Sequence, residues 1–184
     1  MITIQRGRYN VVRVERITKK FKEAIYDIID RNLFEVMSKD YPNHILNRIE
    51  DAYTTGTINF RLNSGQPYLV KKGQDIIGFA IAEKCFRYFS GEGELSCCHI
   101  RDLFVLPEYQ GLGIGKLLMD QVINDFSDLL GCETAHLNSS IGAQGFYRKL
   151  GFIKGYFDGV SYSMDMLLRD REKQNYNKKT KMAV

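Results

Sequence analysis

The stretch Val105-Leu106-Pro107-Glu108-Tyr109-Gln110-Gly111-Leu112-Gly113-Ile114-Gly115-Lys116 decides how this chain is read. The segment before it, Leu95 to Leu106, reads as a long strand that stops at Pro107. After it, Leu118, Val122, Phe126 and Leu129 recur along one face of a helix from Ile114 to Leu130, and Gly131 suits its C-terminal cap. Three glycines at alternate positions let the backbone turn tightly and present consecutive N–H groups. A helix start adds free N–H donors and the positive end of the dipole. Strand, glycine turn and helix start together make a cradle for a phosphate, with the charge of Lys116 beside it.

Two common phosphate loops are excluded by single positions. A P-loop built on Gly115-Lys116 needs Gly where Gln110 stands and Ser or Thr where Leu117 stands. A dinucleotide fingerprint started at Gly111 or Gly113 meets Lys116 or Leu118 where its last Gly belongs. The pattern that fits is Gln-x-x-Gly-x-Gly at Gln110, Gly113 and Gly115. Here the chain resembles the GCN5-related N-acetyltransferase (GNAT) superfamily, whose pyrophosphate loop has that form. Leu103 to Gly111 is similar to the strand-to-loop signature of the superfamily. Ala143-Gln144-Gly145-Phe146-Tyr147-Arg148-Lys149-Leu150-Gly151-Phe152 is similar to its second signature. The resemblance is specific from Ile76 to Met166 and general before that. Many members carry Asn seven residues before the tyrosine of the second signature, where this chain has Ser140.

The resemblance implies a substrate and a set of roles. Acetyl-CoA serves as co-substrate, and an acetyl group passes to a primary amine by direct attack in a ternary complex. No cysteine lies in either motif, which favours direct attack over a covalent enzyme intermediate. Tyr147 matches the tyrosine that protonates the leaving thiolate. Backbone N–H groups around Phe104 and Val105 would meet the pantetheine and the acetyl oxygen. Leu103, Gln110, Gly111, Leu112, Gly113, Ile114, Gly115, Lys116, Ser140, Ala143, Phe146 and Tyr147 complete the expected cofactor contacts. For the base that frees the amine, His99 stands on the central strand, eleven residues before Gln110. An unperturbed imidazole is a competent base at neutral pH, and Glu83, Glu94 and Asp102 are its rivals. The resemblance places the acceptor pocket between the first two helices and the closing hairpin, here Phe21 to Tyr53 and Phe157 to Tyr162, while the acceptor itself is not specified by the sequence. A catalytically silent acyl-CoA-binding regulator is the alternative reading, an RNA-associated acetyltransferase a third, and dimerisation through the C-terminal strands a further expectation from the resemblance.

The rest of the chain fits one domain, residues 1–168, with a basic tail at 169–184. The expected class is α/β (α+β), a mixed central sheet of six or seven strands flanked by about four helices. Arg8 to Ile17 reads as a first strand with Val12 and Val14 on one face. Thr18 caps a helix from Lys19 to about Ser38, and a second helix runs from about His44 to Thr54. Tyr68–Lys71 and Ile76–Phe86 form a hairpin, Ser90 to Glu94 a loop, and Glu133–Asn138 a buried strand. Ala143–Leu150 is a short helix. Phe152–Phe157 and Val160–Leu168 close the domain as a hairpin across Asp158-Gly159.

The net charge of +4 resides in the tail, where six basic and two acidic residues leave 20 of each sign elsewhere. Such a terminus reads as solvated, not as a nucleic-acid arm. Cys85, Cys97, Cys98 and Cys132 lack a CxxC pair and the histidines are scattered, so reduced, largely buried thiols and no metal are expected. With no apolar run of about eighteen residues and no apolar core in the basic N-terminus, the cytoplasm is the expected location.

Overall fold

The computed structural model describes residues 3–6, 9–89 and 91–168. One mixed sheet of eight strands runs through it in the order β1-β2-β3-β4-β5-β6-β8-β7. The strands are β1 (Thr3–Arg6), β2 (Tyr9–Arg13), β3 (Gln66–Lys72), β4 (Asp75–Phe89), β5 (Gly93–Val105), β6 (Thr134–Ser139), β7 (Ile153–Phe157) and β8 (Tyr162–Leu167). Five α-helices accompany it: α1 (Lys19–Glu35), α2 (Asn43–Asp51), α3 (Thr55–Ser64), α4 (Ile114–Asn124) and α5 (Gln144–Lys149). The α/β class expected from sequence is therefore the observed one, with one strand and one helix more. The expected tail, 169–184, lies outside the described residues.

Each face of the sheet carries its own core. On one face Phe21, Ile25, Ile28, Ile29 and Leu33 of α1 pack with Ile58 and Leu62 of α3 on Leu69, Phe79 and Ile81. Their spacing in α1 makes one apolar stripe, and the Thr18 hydroxyl accepts the Phe21 N–H at 3.2 Å to start the helix. On the other face Leu118, Met119, Val122 and Phe126 of the α4 region pack with Tyr147 on Tyr68, Ala80, Cys98, Ile100, Ala135 and Leu137. Burying side chains of this size contributes about 1.5–3 kcal/mol each. In the first strand the fully buried residue is Val11, while Val12 and Val14 are only partly covered. Cys97, Cys98 and Cys132 are buried and Cys85 partly so, all as free thiols.

Two irregularities open the sheet at one end. β5 and β6 pair in parallel only over Cys97–Ile100 with Thr134–Leu137, then part. At the point of parting β5 bulges: Ala82 pairs with Ile100 and Ile81 with Asp102, which leaves Arg101 as the extra residue. A bulge of this kind bends its strand and re-aims the side chains beside it. Ile100 faces α4, whereas Phe104 faces α1 and α3. Asp102, two residues before Phe104, therefore turns toward α3 as well.

Candidate functional site

A cavity of about 890 Å³ opens where β5 and β6 part. The loop after β5 forms one wall. Gly113, at φ 82°, is the N-cap of α4 and sits in the left-handed region, so the first-turn N–H groups of Ile114, Gly115 and Lys116 have no intrahelical acceptor. At Gly115 an added Cβ would lie 3.2 Å from Phe146 Cζ, a tight contact to which the Phe146 ring would have to yield slightly, so glycine keeps α4 close to α5 here. Gly113→Ala is expected to cost about 1–2 kcal/mol, the penalty of a left-handed L-residue, read as a lower urea midpoint at unchanged slope.

Gln110 holds this loop to α1. Its side-chain amide donates to Asn32 Oδ1 at 2.9 Å and to the Val105 carbonyl at 3.0 Å. Asn32, buried in α1, donates from Nδ2 to the same carbonyl at 3.0 Å. Both lone pairs of the Val105 oxygen are thus taken, while its N–H remains. The Leu106 N–H donates to the Ile77 carbonyl at 2.9 Å. Alternation along an antiparallel ladder then points Phe104 and Asp102 main-chain groups at β4, and those of Leu103 and Val105 at the parted side. Of the pair of amides singled out from sequence, the one at Val105 faces the cavity. Phe104 contributes its ring, which stacks on Phe79 at 5.6 Å and meets Tyr53 edge-on at 5.6 Å.

Tyr147 lies deep in the opposite wall, on α5. Its ring packs edge-on against Phe146 at 4.9 Å and Phe152 at 5.9 Å. Burial, and then the charge of Asp102, push its pKa well above the ordinary phenol value, so it is protonated at neutral pH. Among the described residues its hydroxyl has no hydrogen-bond partner, and it lines the cavity.

Across the parted strands the cavity reaches α2 and α3. Arg61 Nη1 lies 2.6 Å from Asp102 Oδ1, whose side chain is wholly buried. Tyr53 stands under the guanidinium, with the Arg61 Cζ 5.0 Å from the ring centre. Burial raises the Asp102 pKa despite Arg61 and the neighbouring Tyr53 hydroxyl, and among the described residues its Oδ2 meets no donor in full hydrogen-bond geometry. A strap closes this end: the Tyr41 hydroxyl donates to the Val160 carbonyl at 2.7 Å and accepts the Ile141 N–H at 2.8 Å. It ties the turn before α2 to the loop after β6 and the hairpin β7–β8.

The residues expected from sequence fall on both sides of the cavity wall. Leu103, Phe104, Val105, Gln110, Gly111, Gly113, Gly115, Lys116, Ser140, Ala143, Phe146 and Tyr147 line it. Leu112 is exposed and Ile114 is buried in the core under α4, and neither side chain forms its wall. Lys116 is turned onto Asp120 at 2.6 Å. His99 is not in the wall: it stands beside Glu83, 3.6 Å from Nδ1, and beside the ring of His136 at 5.2 Å. Burial, His136 and Arg101 push its pKa down to about 4. Asn32, Tyr41, Arg48 and Tyr53, all within the segment Phe21 to Tyr53 expected to border the acceptor, line the cavity, as do Arg61 and Arg101, which the sequence did not single out. Among the described residues no cluster of His, Cys, Asp and Glu is arranged to hold a metal ion, and no helix is long and apolar enough to cross a membrane.

Residues 23–152 match the acetyltransferase (GNAT) family. The chain belongs to this family. Solved GNAT-type folds superpose on it at identities that speak for the fold alone. The PaiA N-acetyltransferase from Thermoplasma acidophilum, in complex with coenzyme A, gives a TM-score of 0.68 at 15% identity, covering 85% of this chain and 98% of that one. A GCN5-related N-acetyltransferase from Rhodopseudomonas palustris gives 0.66 at 16% identity, covering 91% and 98%. In sequence, 61 residues are 43% identical to an uncharacterized N-acetyltransferase of Porphyra purpurea, 33% of this chain and 34% of that protein. A glucosamine 6-phosphate N-acetyltransferase of Trypanosoma brucei brucei is 46% identical over 55 residues, 29% of this chain and 36% of that protein. The chain thus spans about a third of the length of the curated GNAT relatives it matches.

Proposed function

We propose that the chain is an acetyl-CoA-dependent N-acetyltransferase acting on a primary amine. The observation that carries the reading is that the parted strands, the glycine loop at the start of α4 and Tyr147 meet in one cavity reached from both faces of the sheet. The N–H groups of Ile114, Gly115 and Lys116 suit a pyrophosphate. The main-chain groups of Leu103 and the N–H of Val105 suit the pantetheine arm and the acetyl oxygen, where negative charge develops. Names borne by relatives agree in kind: both curated relatives are called N-acetyltransferases, and the Thermoplasma structure holds coenzyme A.

In this reading the neutral amine nitrogen attacks the thioester carbonyl, the N–C bond forms as the C–S bond breaks, and the leaving sulfur takes the Tyr147 proton. The proton that the nitrogen sheds on becoming an amide restores the phenol through solvent. No cysteine lines the cavity, which supports direct attack over a covalent intermediate. The amine must lose a proton, since a free alkyl ammonium has a pKa near 10.4. His99, one candidate base, stands outside the wall with a depressed pKa. Asp102, its rival, lies in the wall with its pKa raised by burial, which favours proton loss through water toward Asp102. A cytoplasmic location and a homodimer remain parts of this proposal.

Calorimetric titration with acetyl-CoA, followed by free-thiol release over a panel of amines, tests it. Saturable binding with thiol release on one amine class is the expected result. Binding without release on any amine would leave a silent acyl-CoA-binding regulator, and no binding would remove the reading of the Gln110–Lys116 loop.

A further inference from the structure

The end of the cavity toward α2 and α3 is more basic than an amine substrate requires. A site for a polycation would gather carboxylates, yet three guanidiniums from three elements line this one: Arg48 of α2, Arg61 of α3 and Arg101 of the β5 bulge. Their pairings differ. Arg61 is neutralised by Asp102. Arg101 gives Nη2 to Glu83, and its Nε is buried without an acceptor. Arg48 has no ion pair or hydrogen bond among the described residues. Asp40, the other carboxylate in the wall, is packed on the strap, where a Cβ added to Gly142 would fall 2.1 Å from its Oδ2.

We propose that the acceptor is an amine that also carries a carboxylate or phosphate, and that Arg48 is the residue that selects it. The inference rests on the acetyl-transfer reading and deepens it. A guanidinium binds either anion through two parallel N–H bonds, which fixes orientation as well as adding affinity. The bulge adds a second cation on the facing strand, because it turns Arg101 and Asp102 to the same side. The positive field also disfavours an ammonium relative to the neutral amine, the form that attacks. Anion and amine then bind at separate points, with the amine toward the parted strands and the anion toward α2.

Paired acceptors with and without the anion test this: glucosamine 6-phosphate against glucosamine for phosphate, and glycine against glycinamide for carboxylate. Rates are referred to the concentration of neutral amine, because the anion also raises the amine pKa. The expected result is a kcat/KM ratio of roughly tenfold or more in favour of the anionic member of one pair, as a charge-assisted bond implies. That pair names the anion. In Arg48→Gln the same ratio narrows to about twofold, while Arg48→Lys keeps part of it. A ratio is insensitive to how much enzyme is folded, so a stability effect cannot imitate the result. Neutral members used as well as anionic ones in both pairs would overturn the inference while leaving acetyl transfer standing. A preference that survives in Arg48→Gln would overturn the assignment to Arg48.

Discussion

Replacing Tyr147 by Phe is expected to lower kcat by roughly 100-fold, the lower end of what a positioned proton donor contributes. The substitution removes one oxygen and keeps the ring between Phe146 and Phe152, so packing is preserved. Among the described residues the hydroxyl makes no hydrogen bond, and none of them loses a partner with it. Acetyl-CoA affinity should therefore change by less than about threefold, as for a group used only in the transition state. Rate measurements at saturating acetyl-CoA beside calorimetry on the same variant give both numbers. An unchanged kcat would mean that the leaving sulfur takes its proton elsewhere.

Arg61→Ala should be the most destabilising of the site substitutions, by about 3–5 kcal/mol at pH 7, as for a buried pair stripped of one member. Arg61 gains from the pair, its own pKa being raised, whereas Asp102 does not recover its full cost of burial. That asymmetry sets the sign with pH. A carboxyl whose folded pKa lies above its unfolded one contributes stability that is present below the unfolded value and lost as pH rises through the folded value. Without Arg61 the folded value climbs farther, so the deficit is widest at neutral pH and shrinks on acidification. Urea unfolding of both proteins at two pH values measures it, and Asp102→Asn in the Arg61→Ala background should restore part of the loss. A deficit independent of pH would remove the buried charge as its cause.

The glycine loop and both signatures were legible because local chemistry dictates them: a turn needing left-handed backbone, a helix start and an apolar stripe along α4. The acceptor end was legible only as segments, Phe21 to Tyr53 and Phe157 to Tyr162, and not residue by residue. Helix α3 reads Thr-Gly-Thr-Ile-Asn-Phe-Arg-Leu-Asn-Ser, poor in helix formers and with only Ile58 and Leu62 buried. Packing on β4 holds it, and Arg61 went unnoticed with it. Strict alternation from Ile100 would place Asp102 on the α4 face, and only the extra residue at Arg101 reverses this. His99 misleads for a related reason. Its position on the central strand suggested the cavity, but it lies on the stretch where β5 and β6 are still paired.

That short pairing has a mechanical consequence. Among the described residues four register pairs, Cys97–Ile100 with Thr134–Leu137, and the Glu133 N–H donating to the Ser96 carbonyl at 2.9 Å make the backbone seam between the panels β1–β5 and β6–β8. The sheet is stitched at one end and unlaced at the other, where the Tyr41 strap spans the gap, so it behaves like calipers with a catch. A rod-like guest lying in the unlaced part and bonded to the β5 amides would extend the lacing, and the force that spreads the panels would then have to break guest contacts first. Occupancy would therefore be felt at the stitched end as slower amide exchange in residues that the guest never touches.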